Sequence, residues 1–152
     1  MSLALTLHVL AAVIWVGGMF FAFVCLRPAL GLLDQQLRLR MWASTLSRFL
    51  RWVWGSILVL LITGVWMVFG HFHGLRRVGP HVHLMMGIGI FMMLLAAHLY
   101  FAPYKRLKRL IAQSNWPEAA KQSEQIRWFV ALNLGLGLLV LVIAAGGRDW
   151  TY

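Results

Sequence analysis

The sequence predicts an all-α integral membrane protein, a four-helix bundle with both termini on the outer side, which in a bacterium is the periplasm. Of its 152 residues 61% are hydrophobic, and the mean hydropathy is +0.77, whereas soluble domains are about 45–50% apolar. Four apolar runs fall within the range of about 17–25 residues that a helix needs to cross a bilayer core. The basic residues are concentrated on one side of these runs, as in a multi-pass membrane protein.

The four spans are expected within one domain, residues 1–152, at 3–26, 52–69, 82–102 and 128–145. The first run, Leu3–Leu26, holds no formally charged residue. It lacks a basic segment before it and a small-residue cleavage site after it, and it is too long for the apolar region of a signal peptide. We therefore expect it to remain as an uncleaved span.

The charges predict the orientation. Eleven of the fourteen Lys and Arg residues flank the first and third connecting loops: Arg27, Arg38, Arg40, Arg48, Arg51, Lys105, Arg106, Lys108, Arg109, Lys121 and Arg127. The opposite side has Arg76, Arg77 and Arg148. Because cytoplasmic loops carry the excess of basic residues, we expect both termini and the loop from Gly70 to His81 on the outer side. In a bacterium this would be a multi-pass protein of the cytoplasmic (inner) membrane. The net charge of +10 is then explained by topology and contacts with anionic lipid rather than by nucleic acid.

The connecting segments carry helix signals. Asp34–Arg51 is predicted to be a basic helix lying at the interface before the second span. Pro103 is expected to end the third span, with a basic helical pattern continuing to Ile111. The segment Asn115-Trp-Pro-Glu118 has the pattern of a capping box with proline in the first turn, so a helix starting there is expected to run into the fourth span.

Tryptophan positions distinguish the membrane surfaces from the interior. An inner aromatic belt is expected at Trp42, Trp52, Trp54 and Trp128, and an outer one at Trp66 and Trp150. Trp15 lies in the middle of the first span and does not fit a belt. It shares a helical face with His8, Ala11, Gly18 and Ala22, and we expect that face to look into the protein.

His8 and the outer segment contain the candidate ligands. A histidine inside a membrane span is costly unless it faces protein, water or a cofactor. Four more histidines lie in the segment joining spans two and three, and Met67, Met85 and Met86 lie at the same level. Imidazole suits copper, zinc, iron and nickel, and thioether sulfur favours Cu(I). The predicted metal ligands are His8, His71, His73, His81, His83 and Met85.

The geometry of this set depends on the local backbone. The two His-x-His pairs could share a metal if they are extended, whereas on a helix their side chains would diverge. His8 and His83, on antiparallel spans, could instead hold one ion together or be the axial ligands of a b-type heme. The plain structural alternative for His8 is a hydrogen bond to a backbone carbonyl or to Thr6.

Two further residues are candidates on the inner side. His98 lies 15 residues after His83, about 22 Å along the helix. It could serve a second site, or have a structural or proton-handling role near Tyr100 or Arg27. Arg27 closes the first span, either as an interface anchor or as a clamp for an anionic group such as a heme propionate.

Several chemistries have no candidate residues. The four acidic residues, Asp34, Glu118, Glu124 and Asp149, all lie outside the spans, so ion coupling through an intramembrane carboxylate is unsupported. No hydrolytic residue set is evident, and a single cysteine, Cys25, excludes an internal disulfide. In the fourth span, Asn133 with Gly135 and Gly137 predicts close helix packing and an interhelical hydrogen bond.

Four segments of the chain carry a family pattern: His8-x6-Trp15-Val-Gly-Gly-Met, Pro80–Met86, Phe101–Leu107 and Arg127 with Asn133-Leu-Gly-Leu-Gly. In these segments, and over nearly its whole length, the chain resembles the copper resistance D (CopD) family. The resemblance implies a minimal four-span member of a family associated with copper passage or tolerance at the bacterial inner membrane.

The chain is also similar to the HemJ-type protoporphyrinogen oxidase in His8, Trp15 and Gly18, in Gly64-Val-Trp66, and in His98-Leu-Tyr100. That resemblance implies a b-heme within a four-helix bundle. The third span opens with His81-Val-His83 where we would expect His-x-Lys from that family, and the fourth reads Asn133-Leu-Gly in place of an Asn-Glu-x-Pro-like segment.

Three functions remain open. The first is a copper-handling protein that binds the metal near the periplasmic face, with a homodimer or a periplasmic copper carrier as partner. The second is a b-heme redox protein with His8 and His83 or His98 as ligands, Trp15 packed on the macrocycle and Arg27 near a propionate. In that case alone an enzyme is expected, a heme-dependent oxidoreductase. The third is an assembly subunit without a cofactor.

Overall fold

The computed structural model describes residues 2–71 and 73–146. Four helices follow one another: α1 Ser2–Leu30, α2 Gln35–His71, α3 Pro80–Ala112 and α4 Trp116–Gly146. Each is long and apolar enough to cross a membrane, and these two described stretches contain no strand. The predicted four-helix membrane fold is confirmed. Arg148, Asp149 and Trp150 lie outside the described residues.

Two helix starts follow from their capping residues. The Asp34 carboxylate accepts a hydrogen bond from the Leu37 N–H at 3.1 Å, which satisfies one of the free donors at the start of α2. The Asn115 side chain accepts from the Glu118 N–H at 3.5 Å, with Pro117 in the first turn of α4. The predicted helix from this cap into the fourth span is confirmed.

The helix α3 does not end at Pro103. A π-helical segment, Tyr100–Tyr104, contains the proline, and the helix resumes at Lys105 and continues to Ala112. Proline has no N–H to donate to the ladder, and a wide turn accommodates the lost bond without a break. The helical pattern predicted to continue to Ile111 is therefore confirmed. The end of the membrane span itself, expected at residue 102, stays a prediction.

The segment Asp34–Arg51 is not a separate interfacial helix. Gln35–His71 is one uninterrupted helix of 37 residues, about 55 Å long at 1.5 Å per residue. That exceeds the roughly 30 Å hydrocarbon core, so part of the helix projects beyond it. We call the end formed by residues 27–51 and 105–127 the basic end, and the end formed by residues 2–10, 63–71 and 73–83 the histidine end.

The helices pack as two close pairs, α1 with α2 and α3 with α4, and α4 also contacts α1 and α2. One continuous apolar core joins them. It begins at the level of Trp15, Ile57, Met92 and Leu134 and extends through the basic end. There Leu107, Ala119 and Ile126 are completely buried. The projecting helix ends therefore form a packed bundle of their own rather than loose tethers.

Trp42 does not belong to an aromatic belt. It is buried within the core, because it falls on the same face of α2 as Leu39 and Leu46, three residues before and four after it. Trp52, Trp54, Trp66 and Trp128 are exposed on the helix surfaces, as a belt requires.

The predicted packing role of the fourth span is confirmed at two of its three residues. The Asn133 amide donates to the Met92 carbonyl of α3 at 3.4 Å. A Cβ at Gly137 would lie 2.8 Å from Val16 Cγ2 of α1 and 3.2 Å from Met92 Cε, whereas one at Gly135 would meet nothing within 4 Å. Gly137 is therefore the residue that lets α1 and α3 approach α4.

Candidate functional site

His8 is held by a short chain of hydrogen bonds between α1 and α2. Its Nδ1 lies 2.8 Å from the Thr63 hydroxyl, and that hydroxyl donates to the Val59 carbonyl at 2.6 Å. A hydroxyl has one proton to give, so the Thr63 oxygen accepts from His8 and Nδ1 carries the hydrogen. We assign Nε2 as the unprotonated nitrogen, with its lone pair available to a ligand.

Small residues bring α1 close enough for this contact. A Cβ at Gly18 would overlap the Phe49 ring of α2, and one at Gly64 would lie 3.6 Å from His8 Cε1. Ala11, Trp15 and Ala22 are buried on the same side. The face of α1 predicted to look into the protein is thus confirmed. Thr6 does not bind His8, since its hydroxyl donates to the Ser2 carbonyl at 2.8 Å.

Two more donor side chains follow Thr63 toward the histidine end. Met67 and His71 lie four and eight residues further along α2, about one and two turns. The π-helical segment Trp66–His71 that carries them contacts α1. Met67 is half-buried and His71 exposed. We call His8, Thr63, Met67 and His71 together the α1–α2 seam.

His81 and His83 lie in the first turn of α3, on helical rather than extended backbone. Two residues on a helix point about 200° apart, so this His-x-His pair diverges, as expected for a helix. His83 is exposed and donates from Nδ1 to the Gly79 carbonyl at 3.2 Å. His81 has a buried Nδ1 that finds no hydrogen-bond partner among the described residues, and Met85 follows it by one turn.

The remaining histidines also lie apart from His8. His73 is exposed with a positive φ of 57°. His98 is exposed, and its ring packs against Phe129 with 5.1 Å between centroids. His8 is hydrogen-bonded to Thr63 of α2, and His83 to the Gly79 carbonyl just before α3, a helix whose main neighbour is α4. No hydrogen bond therefore joins the predicted pair, His8 and His83.

Trp15 and Arg27 are occupied by protein contacts. Trp15 is 2% exposed and belongs to the apolar core, so no macrocycle can stack on it without displacing core side chains. Arg27 donates to Glu124 at 2.5 Å, and Glu124 also accepts from Arg127 at 2.9 Å. This network ties the end of α1 to α4. The roles expected for Arg27, an interface anchor or a clamp for a propionate, stay predictions.

Across residues 2–71 and 73–146 no three His, Cys, Asp or Glu side chains are grouped so that they could hold a metal ion. The donors available at the seam are instead one oriented imidazole, a thioether one turn beyond Thr63 and a second imidazole. Such a set is suited to brief binding of a soft ion rather than to a closed structural site.

Thr63 is the site residue that sequence reasoning missed. A threonine in an apolar span signals little on its own, because its hydroxyl commonly bonds to the carbonyl three or four residues earlier. Thr63 makes that bond and also accepts from a residue 55 positions away. The only local signal was its position beside Gly64, where another helix can approach.

Comparison with known proteins identifies the family. A family model described as copper resistance protein D matches residues 43–146, which covers most of α2 and all of α3 and α4, and leaves out α1 with His8 and Trp15. No curated protein and no solved structure matches the chain. The relation to the HemJ-type oxidase remains a hypothesis. Since the matched region exceeds half of the chain and coincides with three of the four membrane helices, the chain belongs to the copper resistance protein D (CopD) family.

Proposed function

We propose that this copper resistance-related, multi-pass membrane protein binds copper as its substrate at the histidine end, with His8 Nε2 as the anchoring ligand of the α1–α2 seam. The observation that carries the proposal is the hydrogen-bond chain from His8 through Thr63 to the Val59 carbonyl. Metal-binding histidines characteristically donate their other ring N–H to a fixed acceptor, which orients the ring and raises its basicity. Thr63 is that acceptor here.

The other seam donors favour the reduced ion. Met67 supplies a soft thioether, and soft ligands select Cu(I). His71, one turn beyond Met67, lies nearest the end of the helix and is exposed. In this proposal copper reaches His71 first, then Met67 and His8. Because each step needs few ligands, the ion can leave as readily as it arrives. Rapid release of this kind is needed by a protein that passes copper on, but not by one that stores it.

The proposal includes an orientation. The excess of basic residues at the opposite end favours that end as the cytoplasmic one. The seam would then open to the periplasm of a bacterial inner membrane protein. A periplasmic copper carrier, or a second copy of the chain, is the partner that would supply or take the ion.

Competition for Cu(I) against a chromophoric chelator tests the site in detergent-purified protein. The variant His8→Ala is expected to lower the affinity at least about tenfold, because the oriented ligand is lost. His98→Ala, which removes an imidazole at the other end of the bundle, should bind as the unaltered protein does. Equal Cu(I) affinities of the His8→Ala variant and the unaltered protein would refute the proposal.

An optical spectrum of the same sample, oxidised and then reduced, distinguishes the heme hypothesis from the copper proposal. The copper proposal expects no Soret band in protein from heme-replete cells. A Soret band with split α and β bands on reduction, lost in His8→Ala, would replace copper by heme as the ligand of His8. The burial of Trp15 in the core is the structural reason why we favour copper.

A further inference from the structure

A cavity of about 330 Å³ opens between α2 and α3 at the basic end. Its polar lining consists of four cations and two hydroxyls, Arg40, Ser44, Ser47, Arg48, Arg51 and Lys108, and no acidic side chain lines it. We call this set the basic groove. A lining whose charged groups are all cations raises the local concentration of anions, and serine hydroxyls add hydrogen-bond donors.

The groove follows from the register of α2 and the length of α3. Residues 40, 44, 47, 48 and 51 recur every three or four positions and so share one face, while Leu39, Trp42 and Leu46 of the same helix are buried in the core. The opposite wall is Lys108, in the part of α3 that continues past Pro103. Both walls exist because both helices project beyond the bilayer core.

Two of the four cations, Arg48 and Arg51, have neither an ion-pair partner nor an aromatic partner in the part of the chain that the structure describes, whereas the other two lie against aromatic rings. Arg40 lies 5.3 Å from the Trp116 ring and Lys108 lies 5.8 Å from the Tyr104 ring. The three ion pairs among the described residues involve other cations, Arg27, Lys121 and Arg127. Arg48 and Arg51 are therefore uncompensated, and an anion between them would relieve their mutual repulsion.

The depth of the groove indicates which anion. Arg51 directly precedes Trp52, which is 65% exposed. The ring of Trp54 packs edge-on against the Tyr100 ring, with 5.9 Å between the ring centroids. Aromatic side chains of this kind lie at head-group level. Beyond them Leu58 and Ile62 of α2 are exposed, an apolar surface for acyl chains. We propose that the basic groove binds the phosphate of an anionic phospholipid head group.

Lipid titration followed by native mass spectrometry tests this on the full chain in detergent, with phosphatidylglycerol and phosphatidylcholine as probes. Phosphatidylglycerol should be retained and phosphatidylcholine not. Arg48→Gln with Arg51→Gln should weaken phosphatidylglycerol binding by roughly tenfold or more. The matched control is Arg106→Gln with Arg109→Gln, which removes two exposed charges of α3 outside the groove and should leave the apparent Kd unchanged.

The other outcomes overturn the proposal. Equal weakening in both double variants would mean that surface charge alone attracts the lipid. Inorganic phosphate that binds as tightly as phosphatidylglycerol, at the same arginines, would make free phosphate the ligand. If the double variant of α2 does not fold, Ser47→Asp decides instead: a carboxylate in the groove must repel the lipid, and unchanged binding refutes the site. None of these results depends on copper.

Discussion

Thr63 is the single residue on which the proposed copper site most depends. Thr63 is buried, and its hydroxyl shares its proton between the Val59 carbonyl at 2.6 Å and, more weakly, the Leu60 carbonyl at 3.4 Å, while its oxygen accepts from His8. Because the hydroxyl has one proton, the first bond decides the direction of the second. In the proposed copper site, Thr63 therefore determines which nitrogen of His8 would bind the metal, without contacting the metal itself.

The variant Thr63→Val tests that role at nearly constant volume. Valine keeps the shape but cannot accept from His8, so the ring loses its preferred tautomer and orientation. The Cu(I) affinity should fall by about 10–100-fold, the usual cost of removing such an outer partner.

Thr63→Ser is the matched control, since it retains the hydroxyl and should keep most of the affinity. The measurement is the same chelator competition. If valine and serine behave alike, the hydroxyl has no part in binding.

Among the elements, α4 contacts each of the other three helices. Its contact with α1 and α3 is at Gly137, where an added Cβ would crowd Val16 and Met92. Gly135, half a turn away, has open space. The two glycines share the same helix and the same depth, yet only one of them is required by packing.

This difference predicts opposite results for two alanine variants. Gly137→Ala should lower the unfolding free energy by about 1–3 kcal/mol, because the methyl group pushes neighbouring helices apart. Gly135→Ala should be neutral or slightly stabilising, since alanine is the better helix former. Thermal unfolding in detergent gives both values, and equal losses would show that the packing argument is wrong.

The whole molecule is asymmetric along the membrane normal. The continuous core occupies the basic end and stops at the level of Trp15 and Met92. Beyond that level, among the described residues, the buried side chains are few and scattered: Ala11, Thr63, Val68, Val78 and Ile143. A region with little buried apolar contact opens at lower cost than a packed one. If copper binds at the seam as proposed, we expect the ion or its carrier to gain access at the histidine end.

The orientation of this asymmetry is testable by labelling single cysteines in a Cys25→Ser background. Leu75→Cys lies at the histidine end and Gln113→Cys at the basic end, and both positions are exposed. An impermeant maleimide added to intact cells, after outer-membrane permeabilisation, should label the first alone, because the basic end is expected in the cytoplasm. The reverse pattern would invert the topology and place the seam on the cytoplasmic side.

The helical architecture could be predicted from local patterns in the sequence. Hydropathy located four spans, the Asn115 cap located the start of α4, and the small residues of α1 indicated its inward face. Each of these properties belongs to a few neighbouring residues, so neither the rest of the chain nor the helix partners need be known. The continuation of α3 past Pro103 was indicated by its basic helical pattern, whereas a wide turn that absorbs a proline has no reliable sequence signal of its own.

The contacts between side chains of different helices could not be predicted from such local patterns. The partner of His8 is 55 residues away, Trp42 is buried because of the register of a projecting helix, and Arg48 faces a cavity only because α3 continues past a proline. A rotation of one helix by one residue, about 100°, would change all three without altering hydropathy or charge. Local composition therefore determines that the chain enters the membrane and which end is basic, while helix pairing and register determine where a ligand can bind.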